Sequence, residues 1–369
     1  MPDHKITIER TGLVYRNPKP HVRSVVAYHP SLTFLGEKGY VATFDVGQAV
    51  ESYDYHTIVA RSADAENWTV EGPLLHGSLP ASTTHTIRTS RLADGSLVGY
   101  GGFFHREAAE ELVNRDTFGL VPVDPFIVRS FDDGHSWTEP NLIATPLVGP
   151  SWEICHPIVE LKDGRWLAPT STWRDWQAEG YLGDQAVVLI SDDCGKSWLD
   201  YGLTFDGRQT KLSYLEQSVI QLETGEVLAV SWVYRLSTGQ SMPTVYSISA
   251  DRGKHFSAPN NTGFEAQTCK VIQLYDGRLL CIYRRNDCPG LWANLAHLEG
   301  NEWVNLVQVP LWQGANSGMS GRANSAEELS SLKFGYPSLR QISGKKVIVL
   351  FWCQEDCVTN IRWIKVSVS

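Results

Sequence analysis

The sequence predicts an all-β chain folded as one six-bladed β-propeller over residues 1–369, its N-terminal strand closing the last blade. Three observations predict it. A short unit, S-x-D-x-G-x-S-W, stands at Ser130–Trp137 and Ser191–Trp198 and returns with Phe in place of Trp at Ser249–Phe256. The order strand, turn, strand, loop, strand recurs at a period of roughly 50 to 70 residues, which is the spacing of propeller blades. The last repeat ends one strand short, while residues 5–16 read as a strand with nothing before it to pair with.

The eight-residue unit is a strand-to-strand turn. Its Asp carboxylate accepts backbone N–H bonds, its Gly supplies a positive φ, and its Trp opens the next strand and packs under the turn. Worn copies follow at Ser62–Trp68, which lacks the Gly and one residue, and at His297–Trp303. Because its polar groups are satisfied by its own turn, the unit reads as scaffold. Tyr28–Phe34, a turn at Gly36–Gly39 and Tyr40–Phe44 begin blade 1, and His56–Arg61 leads into the first box. Later inner strands start near His85, His156, Glu216, Gln267 and Tyr336, each before a turn such as Asp94-Gly95, Asp163-Gly164 or Asp276-Gly277. In the sixth unit Tyr336–Ile342, Lys346–Trp352 and Asn360–Val368 need a fourth strand, and Ile6–Leu13 supplies it, hiding two open edges. His105–Val113 and Ala326–Leu332 interrupt the repeat with helix-forming composition and are expected to be short helices or lids.

A formal charge of −9 argues against a nucleic-acid partner. No apolar run is long enough to span a bilayer, and Met1–Ile8 lacks the apolar core of a secretory signal, so a cytoplasmic location is expected. Seven cysteines without a C-x-x-C pair read as free thiols, Cys353 and Cys357 included.

Topology then sorts the chemistry. The boxes join third and fourth strands, so they share a face with the turns after the first strands. The opening of each inner strand and the loop between second and third strands lie on the other face. The residues expected to converge at the axis are His29, His85, His156, Glu216, Gln267 and Tyr336. The loops add Asp54 and His56, His105 and Arg106, Trp173 and Arg174, Tyr234 and Arg235, and Arg284 and Arg285. Aromatic faces with charged groups form a sugar-binding chemistry, so a small carbohydrate is the expected ligand.

The repeated unit resembles the Asp box of the sialidase superfamily, and that resemblance implies the propeller and a set of site residues. Leu215-Glu216-Gln-Ser-Val-Ile-Gln-Leu222 resembles the setting of the sialidase catalytic Glu, with Leu in place of Asn. Tyr336-Pro-Ser-Leu339 resembles the segment of the nucleophilic Tyr. Asp54, upstream of Val59-Ala-Arg-Ser62, loosely matches the acid/base Asp. The resemblance implies that Glu216 draws the proton from Tyr336, whose ordinary pKa near 10 would leave it a weak nucleophile.

The departures restrict what is implied. Ala27-Tyr28-His29-Pro30 stands where sialidases carry F-R-I-P, and the other two substrate-binding arginines lack clear counterparts, although Arg235 and Arg284 lie close in sequence. Each Arg–carboxylate contact contributes about 1.5–3 kcal/mol, so sialidase activity proper is not expected. The expectation is a glycoside hydrolase acting on a small glycoside, with Glu216 and Tyr336 as the nucleophile pair and Asp54 as acid/base. His29, His85, Gln267 and Trp173 would bind hydroxyls, and Arg174, Arg235 or Arg284 would meet an acidic group. Two alternatives stay open: a His/Tyr lyase on a uronate-containing oligosaccharide, with His156 among the candidate bases, and a non-catalytic propeller that binds a glycan or a protein. No cofactor is expected. A metal held by His29, His85 and His156 is the lesser reading, because no contiguous ligand motif is present.

Overall fold

The computed structural model describes residues 4–77, 79–106, 111–147, 151–178, 185–235, 238, 240–285, 287–314 and 333–369. Six antiparallel sheets follow one another around an axis, as expected. Their inner strands are Val26–Phe34, Thr83–Arg91, Ser151–Glu153 continued by Val159–Glu160, Leu212–Gln221, Gln267–Gln273 and Phe334–Ser343. The second strands are the most apolar: Leu97–His105, Val227–Arg235 and Lys346–Glu355 are buried along nearly their whole length, sandwiched between neighbouring blades. In the last blade Phe334–Ser343, Lys346–Glu355 and Val358–Val368 are completed by Ile6–Arg16, which pairs from Ile6 opposite Val368 to Arg16 opposite Asn360. The ring therefore closes through the N-terminal strand.

No α-helix occurs among the described residues, which carry one short 3-10 turn at Gly36–Lys38. None of their helices is long and apolar enough to cross a membrane. The segment expected as a helix at His105–Val113 lies partly outside the described residues, and its described ends are strand and turn. Ala326–Leu332 lies wholly outside them. All seven cysteines are free.

The boxes behave as scaffold. In the second blade Asp132 accepts the Ser136 N–H at 2.9 Å and the Ser136 hydroxyl at 2.6 Å, while Ser130 Oγ accepts the Gly134 N–H at 2.7 Å. Asp193 and Ser191 repeat this geometry around Gly195. The hydrogen bonds from Ser136 and Ser197 hold both carboxyls down, to about 2. Gly195 is required twice: its φ is +83°, and a Cβ there would meet the Trp166 ring at 2.6 Å. In the worn box Ala65 takes the left-handed conformation instead, at φ 62°. Trp198 is 3% exposed, whereas Trp137, expected to be equally buried, stays half-buried. Trp198→Ala is expected to cost about 3–5 kcal/mol, measured by denaturant unfolding, with the activity of the folded fraction retained. A stable but inactive variant would show that this face carries chemistry.

A backbone device recurs at the inner strands and aims side chains at the axis. Ladder register shifts between Tyr28 and Ser31, Leu215 and Ser218, Gln267 and Lys270, and Gly335 and Ser338 mark one β-bulge in each of four blades, the first, fourth, fifth and sixth. Inside each bulge one residue is left-handed: His29 at φ 50°, Glu216 at 49°, Thr268 at 50° and Tyr336 at 46°. Such bulges re-aim a side chain out of the pleat, and non-glycine residues hold this conformation at a cost. Two positions later the blades are stitched together. Ser31 Oγ accepts the Thr89 N–H at 3.2 Å, Ser218 Oγ that of Val271 at 3.1 Å, and Ser338 Oγ that of Leu32 at 3.0 Å. His156 Nε2 accepts the Val219 N–H at 3.3 Å in the same role. By that register Arg88 and Lys270 hold the corresponding positions in the second and fifth blades.

Candidate functional site

The bulge residues open onto a cavity of ≈ 220 Å³ at the axis. Its apolar wall includes Trp152, Trp173, Trp232 and Trp352, with Tyr28, Tyr55 and Phe104. A further side is built by the loop after Leu97–His105, which contributes Leu112, Val113 and Leu120. That loop is docked on the third blade. Trp173 Nε1 donates to Phe118 O at 2.7 Å, Asn114 Nδ2 to Trp176 O at 2.9 Å, and the Leu120 N–H to Arg174 O at 3.1 Å. Gly119 permits the close approach, since a Cβ would sit 2.0 Å from Asp175 O.

The polar groups converge from several blades. Asp45, fully buried in an otherwise apolar strand, accepts from Thr57 and Thr86 at 2.7 Å each and from Arg88 at 3.4 Å. His29 Nδ1 lies 3.6 Å from the same carboxylate. Burial pushes the Asp45 carboxyl up, but Arg88, His29 and Thr57 together outweigh it and keep it below its ordinary value. Burial holds the His29 imidazole below its ordinary value, with Asp45 opposing and Arg88 reinforcing, so the ring is neutral at pH 7. The His29 ring sits 4.9 Å from that of Tyr336. The Tyr336 hydroxyl donates to Cys155 O and accepts from Arg88 Nε at 3.2 Å. Burial raises the phenol well above its ordinary pKa, against the pull of Arg88.

Glu216 faces the cavity, and its Oε2 is buried with no hydrogen-bond partner among the described residues. Its own N–H is fixed by Glu153 Oε2 at 2.9 Å. Burial raises the Glu216 carboxyl, with Arg284, Lys270 and Arg88 opposing. Glu51, from the loop between the second and third strands of blade 1, also lines the cavity. Burial raises it to about 7 against the attraction of Arg106, whose Nη1 donates to Glu51 O at 3.0 Å.

Of the residues singled out in the sequence, His29, Glu216, Tyr336, Arg284 and Trp173 line this cavity. Gln267 stands one layer behind, its Oε1 accepting from Arg284 Nε at 2.9 Å, and Thr268 takes the bulge position expected for it. His85 and His156 do not line the cavity. His85 Nε2 accepts the Thr57 N–H at 3.4 Å, and burial lowers this ring to about 4. His156 is two residues past the bulge register, bonded to Pro157 O at 2.8 Å and to Val219 N, and burial lowers it to about 3, aided by Lys270. The shared His-Pro pairs at 29–30 and 156–157 hid this offset. Asp54 caps its own turn, accepting from Gln48 N at 3.0 Å and Ser52 Oγ at 2.6 Å. These bonds outweigh a burial effect of opposite sign and lower the carboxyl, and the cavity-facing acid of that loop is Glu51. Arg174 packs over Phe118 and donates to Thr117 O at 3.3 Å, and Arg235 lies outside the cavity wall.

The resemblance implies Glu216 and Tyr336 within hydrogen-bond reach or one water apart; both line the cavity, but no direct bond joins them, the Tyr336 hydroxyl donating to Cys155 O. The three-histidine metal cluster is not formed either: among the described residues no group of three or more His, Cys, Asp and Glu could hold a metal ion. Asp45, Arg88 and Lys270 escaped the sequence reading. Sequence pattern marks only Asp45, a charge in the mainly apolar Tyr40–Gly47; Arg88 lies among threonines in Thr83–Arg91 and Lys270 in the mixed Gln267–Gln273, where nothing in the pattern singles them out.

A family model described as "BNR repeat-like domain" matches residues 112–349. No curated protein matches the chain. Among solved structures, a protein of unknown function from Dyadobacter fermentans aligns over 100% of both chains, with TM-score 0.78 and 20% identity. The NanB sialidase of Streptococcus pneumoniae aligns over 97% of this chain and 71% of its own, with TM-score 0.66 and 12% identity. An α-L-arabinanase from Penicillium chrysogenum, solved with arabinobiose, aligns over 98% of both, with TM-score 0.62 and 15% identity. At these identities the likeness is one of fold.

Proposed function

The chain belongs to the BNR repeat-like domain family, and from that premise and the chemistry of the axial cavity we propose that it is a glycoside hydrolase acting on a small glycoside. The observation that carries the proposal is the pairing, in one tryptophan-lined pocket, of Glu216, whose buried Oε2 has no hydrogen-bond partner among the described residues, with Glu51, whose carboxyl burial raises to about 7. Two carboxyls in one pocket, one to serve as acid and one to meet the anomeric carbon, are what glycosidic cleavage needs. Glu51 gives its proton to the departing glycosidic oxygen as the anomeric C–O bond breaks and ionised Glu216 bonds to the anomeric carbon; water then displaces Glu216 from that carbon and returns a proton to Glu51. Tyr336 serves as a wall held by Arg88 and Cys155 O, while Arg284 is the cation in reach of an acidic group on the sugar.

The test is a panel of aryl glycosides and uronate-containing oligosaccharides, followed both by reducing-sugar release and by the absorbance of unsaturated uronate. Reducing sugar without that absorbance supports hydrolysis. With a substrate in hand, kcat/KM should fall as pH rises through about 7, where Glu51 loses its proton, and Glu51→Gln should remove that limb together with most of the activity. The same raised carboxyl makes a second, substrate-free prediction. A native state that holds a proton longer than the unfolded chain loses stability as pH rises from about 4.5 to about 7. Glu51→Gln should flatten that part of the stability profile; an unchanged slope would remove Glu51 from the role.

A second reading rests on the contact of neutral His29 with Asp45 beside Tyr336. There His29 removes a proton alpha to a uronate carboxylate that Arg284 neutralises, and the glycosidic oxygen leaves by elimination. Unsaturated-uronate absorbance would establish it. Ligand binding without either product would favour a non-catalytic glycan-binding propeller.

A further inference from the structure

Lys270 comes from the inner strand of the fifth blade and is 7% exposed. Its Nζ donates to Cys155 O of the third blade at 2.8 Å and to Glu216 O of the fourth at 3.3 Å. It also lies 4.8 Å from the centroid of the Tyr336 ring of the sixth. One ammonium thus touches the carbonyl that receives the Tyr336 hydroxyl, the main chain of Glu216 and the face of the phenol. Among the described residues it has no carboxylate ion-pair partner. A buried cation satisfied by carbonyls alone is costly to keep, and an uncharged side chain could make the same packing. Its charge therefore has a use beyond tying blades together.

We propose that Lys270 is a positioning residue that fixes the main chain of Glu216 and keeps its side chain ionised for reaction. The role assigned to Glu216 rests on the hydrolase reading, but the electrostatic link does not. The charged and titratable groups around Glu216 are Arg284 and Lys270 from the fifth blade, Arg88 from the second, Glu153 and Cys155 from the third, and Tyr336 from the sixth. Arg88 is committed to Asp45 and Tyr336, and Arg284 to Gln267 and Phe334 O. Lys270 and Arg284 both oppose the burial that raises Glu216, and Lys270 also bonds its main chain.

The test is the pH titration of the Glu216 carboxyl by carbon NMR in protein labelled at glutamate, the signal assigned by its loss in Glu216→Gln. Lys270→Gln keeps donors for the two carbonyls but removes the charge, Lys270→Met removes both, and Lys270→Arg keeps the charge. The expected result is a midpoint about one pH unit higher in the two neutral variants, a tenfold change in proton affinity, and little change in Lys270→Arg. An unchanged midpoint in folded Lys270→Gln or Lys270→Met overturns the proposal. So does a pair of neutral variants that fail to fold while Lys270→Arg folds, which would make the residue a structural anchor. On any substrate the wild type cleaves, the acid limb of kcat/KM should move upward with kcat lowered about tenfold and KM changed less than about threefold. A wild type that cleaves nothing while the NMR shift appears would refute the hydrolase reading and leave the link between Lys270 and Glu216 standing.

Discussion

Glu216→Gln is expected to lower kcat/KM by on the order of a hundredfold or more while leaving the propeller folded. The amide matches the carboxylate in shape, so the bulge at φ 49° and the N–H bond to Glu153 Oε2 have no reason to change. What disappears is the negative charge opposite Arg284 and Lys270 at the centre of the cavity. Because Oε2 makes no hydrogen bond among the described residues, its loss breaks none there, and melting temperature should hold or rise slightly. Tyr336→Phe is the companion measurement. With its hydroxyl directed to Cys155 O, that variant should lose only about tenfold, the scale of a positioning defect. If Tyr336→Phe is as damaging as Glu216→Gln, Tyr336 is the nucleophile and its hydroxyl must turn from Cys155 to Glu216 when substrate binds. If Glu216→Gln is active but unstable, the carboxylate is a structural group and the hydrolase reading fails.

Deleting residues 1–16 is expected to lower the melting temperature by about 10 °C or more, on the usual scale of 2–4 °C per kcal/mol for domains of a couple of hundred residues. The deleted strand buries Ile6 and Val14, each contributing about 1.5–3 kcal/mol. It also carries the Thr11 hydroxyl bonded to Trp363 O at 2.8 Å and the paired main-chain bonds of Lys5 and Ser369. Arg10 reaches Glu66 of the first blade at 2.6 Å, so the same strand bridges the join between last and first blades. Its removal bares Val358–Val368 as an open ladder, and concentration-dependent aggregation should accompany the lost stability. A truncated protein with unchanged melting behaviour would show that the ring is held by the inner strands alone.

The fold was readable because its signals are local. The three full boxes each carry Ser, Asp and Gly within eight residues, and three inner-strand turns carry Asp-Gly, so repetition along the chain maps directly onto repetition around the axis. The closure by Ile6–Arg16 was readable by counting, since a blade with three strands leaves an edge that only an unpaired strand can cover. His29, Glu216 and Tyr336, expected at strand openings, line the axial cavity from bulges inside the inner strands, because the repeat brings those positions to the axis.

The rest of the site rests on offsets that a linear pattern does not carry. A bulge moves register by a fraction of a repeat: His156 resembles His29 in its His-Pro pair, yet lands two positions later and stitches blades through Val219. Glu51 and Asp54 sit three residues apart in one loop, and only its folded course decides that Glu51 faces the cavity, where burial raises it to about 7 against the attraction of Arg106. Asp45, Arg88 and Lys270 acquire meaning from partners tens to hundreds of residues away. Composition and local spacing thus settle the blades, the boxes and the face that carries the site. Which charges meet there, and which proton each one holds, is settled only by long-range burial, because desolvation and charge pairing depend on what the closed ring places within a few ångströms.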